Sequence, residues 1–221
     1  MAETTIGLII LIATLVALTT ILTVLFTYGR KIDYPKGNRF KSKNNGLDVV
    51  VIVDEDIEYV KSNSGDKIIH NGIEIDMESL AFACGKASRL AKETFIEKGF
   101  KGNKTKSVVF WFRLDEKYDE FNPAVNHPWW GDWVKRTNAF AQKLTRKMLG
   151  NGPGIVVCRD KFIPTIIERG QPAIHEVYHI LMIENHLKHW RWDTGHKNDK
   201  VWATFGKDTA EAIAQNRWNK E

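Results

Sequence analysis

His175-Glu176-Val177-Tyr178-His179 places two imidazoles four residues apart with a carboxylate beside the first. On a helix, residues four apart share a face, so both rings can present a nitrogen to one tetrahedral metal ion. Glu176 points to the edge of that face. There it can take a proton from a water on the metal without being a ligand itself. Five of the chain's seven histidines fall between Ala173 and Asp199. A single such histidine is most simply a solvated or hydrogen-bonded side chain; the joint pattern is that of a metal site.

A third ligand has to come from chain that has turned back. Glu184 lies about 140° round the helix from His179 and points away. His186 is on the correct face but about 10 Å further along the axis. Asp193-Thr194-Gly195 is a turn signal, which makes His196 the first choice, with Asp193 and His189 in reserve. The expected site is therefore Zn2+ on His175, His179 and His196, with Glu176 as general base. Tyr178, Arg191 and Lys197 are candidate donors to a developing oxyanion. The tryptophan-rich loop His127–Trp133 is a possible substrate wall, though such clusters more often pack in a core.

These residues need a scaffold. Gly170-Gln171-Pro172 marks a helix start, since proline suits a first turn, and Asp193-Thr194-Gly195 marks its far limit. Leu47–Glu55, Ser107–Leu114 and Gly154–Cys158 are apolar, β-branched runs that read as buried strands. Lys67–Asp76 reads as two short strands about Asn71-Gly72, a hairpin signal. Leu80, Ala83, Ala87, Leu90, Ala91 and Phe95 recur at helical spacing within Met77–Gly99. Trp133–Leu149 and Asp199–Asn216 also read as helices, and Asn122–Asp132 as a loop. The pattern is α+β, a small mixed sheet packed on helices.

Residues Thr4–Gly29 contain no charged side chain, and the 21 residues Ile6–Phe26 are long enough to span a bilayer. The segment MAETT lacks the basic residues of a signal peptide, and TYGRK is no cleavage site. The expectation is a transmembrane helix at 1–29 contacting the lipid bilayer through residues 6–26, followed by a basic linker at 30–46. Arg30, Lys31, Lys36, Arg39, Lys41 and Lys43 then predict a single-pass membrane protein with its C-terminal domain on the cytoplasmic side. These cations account for most of the formal charge of +5. The remaining domain is close to neutral, which argues against a nucleic-acid groove. Cys84 and Cys158 make no CxxC pair, and two buried thiols are expected.

HEVYH followed by Gly195-His196 resembles the zincin superfamily, and most closely its SprT-like branch, which takes a third zinc histidine from a Gly-His pair beyond the active-site helix. The resemblance covers about Pro172 to Trp202. It departs from that branch in the sixteen residues between His179 and His196, in Lys197 where a second glycine is common, and in lacking a cysteine-rich zinc ribbon. The metzincin variant fits less well: Met182 stands at its glycine position and Asn185 at its third histidine. The resemblance implies a zincin-like domain at 47–221, hydrolysis of amide bonds in a protein or peptide substrate, and a substrate laid along a strand beside the helix, supplied here by Ser107–Leu114 or Gly154–Cys158. The alternatives are a peptidoglycan-cleaving zinc hydrolase and a non-catalytic membrane or virion protein with a vestigial or structural metal site.

Overall fold

The computed structural model describes residues 7, 10–20, 35–44, 47–102, 104–121, 139–143, 154–184 and 210–221. The chain divides into two units, Met1–Tyr34 and Pro35–Glu221.

In the first unit, residues 10–20 are helical. The Thr14 and Thr20 hydroxyls donate back to the carbonyls of Ile10 (2.8 Å) and Val16 (2.7 Å), the local bonding that lets threonine sit in an apolar helix. No helix among the described residues is long and apolar enough to cross a membrane. The predicted transmembrane helix at 1–29 and the single-pass, cytoplasm-facing membrane localisation are thereby corrected. The rest of that predicted span, 1–6, 8–9 and 21–29, lies outside the described residues.

The second unit is α+β, with a mixed sheet packed on helices. Its strands are β1 (Asn38–Asn44), β2 (Leu47–Val53), β3 (Tyr59–Val60), β4 (Lys67–His70), β5 (Ile73–Asp76), β6 (Ser107–Arg113), β7 (Ala139–Lys143) and β8 (Gly154–Arg159). The helices are α1 (Met77–Glu97), α2 (Asp115–Phe121), α3 (Ile163–Arg169), α4 (Ala173–Glu184) and α5 (Ala210–Trp218). The larger sheet has the order β1-β2-β6-β8-β7. β2, β6 and β8 run parallel at its centre, and β1 and β7 are antiparallel at its ends. The central strands are apolar almost throughout because both faces are covered.

Register builds the core in rows. Val49, Val108 and Gly154 are neighbours, then Val51, Phe110 and Val156, then Val53, Phe112 and Cys158. Apart from Gly154, these residues belong to one core with Leu80, Ala83, Cys84, Ala87 and Leu90 of α1 and with the apolar residues of α4. Gly154 is required by close approach: a Cβ there would lie 2.2 Å from Cγ2 of Ile180, so α4 rests almost directly on the start of β8.

β3, β4 and β5 form a separate antiparallel sheet. His70 and Ile73 are partners across Asn71-Gly72, whose φ values of 50° and 76° are those of the expected hairpin turn. β5 runs directly into α1, and Asp76 caps it by accepting from the Ser79 N–H at 2.7 Å. The Ser79 hydrogen bond outweighs partial burial and holds the Asp76 carboxyl below its usual range. A depressed folded value means that the cap contributes fully above about pH 4, the ordinary aspartate pKa, and is lost as pH falls through the lower folded value. Asp76→Ala is expected to cost about 1 kcal/mol near neutrality. The gap from wild type should close in acid, as read by urea unfolding at a series of pH values.

Two sequence expectations differ from the fold. Asn38–Asn44, read as linker, is the end strand β1. Its backbone pairs with β2 while Arg39 and Lys41 remain exposed, the composition that keeps an edge strand from pairing further. Ala139–Lys143, read as helix, is β7. Its alanine, glutamine and lysine favour helix in isolation, but pairing along β8 from Ala139–Cys158 to Lys143–Gly154 overrides that preference. The remainder of Trp133–Leu149 and the loop Asn122–Asp132 lie outside the described residues.

Candidate metal centre

α4 follows directly from α3. Gly170, at φ 72°, ends α3 and accepts from the Ile174 N–H at 2.9 Å. A Cβ at Gly170 would meet the Trp218 ring at 2.7 Å, so glycine is required here both by conformation and by space. Along α4, Ala173, Ile174, Val177, Tyr178, Ile180, Leu181 and Met182 are fully buried. That surface packs on α1, β7, β8 and α5. What remains is a narrow face carrying His175 and His179, both partly exposed.

The two histidines converge. Nε2 of His179 lies 3.2 Å from Nε2 of His175, with ring centroids 4.9 Å apart and planes at 72°. Two nitrogens bound to one tetrahedral zinc at the usual zinc–nitrogen distance would stand about 3.3 Å apart. The donor pair therefore fits a shared ion. At this separation the two nitrogens cannot both carry protons, so at least one lone pair faces the shared focus.

Glu176 is 7 % exposed. On the opposite ring edge of His175, Nδ1 lies 3.2 Å and 3.3 Å from the two carboxylate oxygens of Glu211 on α5. A carboxylate can only accept, so Nδ1–H is the donor. Burial disfavours the imidazolium of His175, but the Glu211 hydrogen bond and the charges of Glu176 and Glu211 outweigh it and raise the His175 pKa.

The remaining residues singled out from sequence divide clearly. Tyr178 points into the core: its hydroxyl is hydrogen-bonded to that of Thr94 on α1, and its ring packs near Phe95 at 6.5 Å. It is therefore withdrawn from the role of oxyanion donor. Glu184 faces the sheet, accepting from the Gly154 N–H at 3.2 Å. Burial pushes the thiols of Cys84 and Cys158 up, and both are free, so neither is a nucleophile. His70 is buried, with Nδ1 3.2 Å from Asp160, where it ties the β4–β5 hairpin to the end of β8. β6 and β8, expected to offer an edge to substrate, lie inside the sheet. Among the described residues, β7 is the end strand, and it lies beside α4.

His196, Asp193 and His189 lie outside the described residues, as do His186, Arg191, Lys197 and the loop His127–Trp133. Among the described residues, no group of three His, Cys, Asp or Glu side chains could hold a metal. The residue that sequence reasoning missed is Glu211. It lies within the predicted last helix, but nothing in its local pattern ties it to a histidine 36 positions earlier.

The chain matches no protein-family model, no curated protein and no solved structure.

Proposed function

We propose that this chain is a zinc-dependent metallopeptidase of the zincin kind, hydrolysing amide bonds of a protein or peptide substrate. The observation that carries the reading is the 3.2 Å convergence of the His175 and His179 Nε2 atoms one turn apart, with the Glu176 carboxylate adjoining in sequence. His196 is the proposed third ligand. Zinc held there would keep a position open, bring a water's pKa towards neutrality and polarise the scissile carbonyl.

Glu176 accepts the proton of the attacking water as its oxygen bonds to the carbonyl carbon. It then delivers that proton to the amide nitrogen as the carbon–nitrogen bond breaks. Burial of Glu176 keeps bulk water from competing for the proton. β7, at the end of the sheet and packed beside α4, is the strand along which an extended peptide can pair.

Purified protein is expected to hold one zinc per chain and to cleave an unfolded protein substrate. Chelation should abolish cleavage, and added zinc should restore it. Protein without stoichiometric metal after zinc loading would overturn the reading; a full complement of zinc with no cleavage of any peptide would leave a structural ion instead.

A further inference from the structure

We propose that Glu211 is a positioning residue for this metal centre: by accepting Nδ1–H of His175 it sets the tautomer and ring orientation that turn the Nε2 lone pair towards the ion. The inference rests on the metal reading of His175 and His179. A neutral imidazole carries one N–H, and the nitrogen that keeps it cannot be the ligand. Glu211 takes the proton-bearing side, with oxygens 3.2 Å and 3.3 Å from Nδ1, while Nε2 faces His179 at 3.2 Å. Glu211 thus stands across the ring from the shared focus, which makes it a partner of the ligand rather than a ligand.

The carboxylate is itself held. Gln171 Nε2 donates to Glu211 Oε1 at 3.1 Å and to Gln215 Oε1 at 2.9 Å. Gln215 is one turn beyond Glu211 on α5, and its amide nitrogen donates to the Arg169 carbonyl. Gln171 immediately precedes the Pro172 that opens onto α4, so the network joins the start of the histidine helix to α5. The far end of α5 is pinned independently. Trp218 Nε1 donates to the Glu168 carbonyl at 2.8 Å, Lys86 donates to the Trp218 carbonyl at 3.0 Å, and Arg217 pairs with Glu97 on α1. A helix anchored at one end and hydrogen-bonded at the other holds the acceptor still, which is what orienting a ligand requires.

The test compares wild type, Glu211→Ala, Glu211→Gln and Glu74→Ala. Zinc affinity is measured by competition with a chromophoric chelator, and the His175 ring is read by nitrogen-15 NMR of the metal-free protein in alkaline buffer. Wild type should show the Nδ1–H form. Glu211→Ala should bind zinc about 10- to 100-fold more weakly and lose the single tautomer. Glu211→Gln, whose amide oxygen can still accept, should recover the tautomer and much of the affinity. Glu74→Ala, which removes a carboxylate from the exposed side of β5 where it pairs with Lys67, should match wild type in both. If wild type binds zinc and Glu211→Ala keeps both its affinity and its tautomer, the positioning role is wrong while the metal reading stands. If wild type binds no zinc, both fall.

Discussion

Glu176→Gln is expected to lower peptide hydrolysis by about 10²- to 10⁴-fold, the range for losing a positioned general base, while zinc content stays at the wild-type level. The substitution keeps size and shape, so a 7 % exposed side chain can be exchanged without opening a cavity. It removes the ability to receive a proton. Zinc content should hold because the proposed ligands include His175 and His179, whose Nε2 atoms converge, and not the residue exchanged. Metal analysis and cleavage rates on the same preparation separate the two quantities. A variant that holds zinc and cleaves at the wild-type rate would remove Glu176 from the mechanism; one that loses zinc would make it a ligand.

Phe110→Ala should produce the largest loss of stability. Phe110 is fully buried on β6, the middle strand of the larger sheet, in the row between Val51 and Val156. Truncating a phenylalanine in such a position costs about 3–5 kcal/mol, through lost burial and the cavity left behind. Set against the roughly 5–15 kcal/mol that hold a typical domain together, this is a large fraction. Urea unfolding should show a lower midpoint with little change in slope. Phe82→Ala on α1 is the comparison: its side chain is 62 % exposed, and its removal should cost less than about 0.5 kcal/mol. Equal losses at the two positions would contradict the packing described for β6.

The helix carrying the histidine pair was legible because its signals are local. Gly170 and Pro172 mark its start, and a four-residue spacing puts two rings on one face whatever surrounds them. The same holds for the Asn71-Gly72 turn, where two positive φ values suit these residues, and for β2, β6 and β8, whose unbroken apolar runs need cover on both faces. Length and hydropathy misled at the N-terminus: the apolar run from Ile6 to Phe26 has the length of a span, while no helix among the described residues is long and apolar enough to cross a membrane.

Local pattern and spacing therefore determined an α+β domain and a helix that sets two imidazoles on one face. Only tertiary structure decided which strands lie at the ends of the sheet, because edge position depends on partners far along the chain. Ala139–Lys143 became β7 by pairing with β8 against its own helical preference, and Tyr178 was turned from the site by a hydroxyl on α1. Glu211 reached His175 through the docking of α5. Spacing within one helix sets angles between neighbours, but contacts between helices follow from how their apolar faces pack, and that packing is what brings a second carboxylate to the histidine.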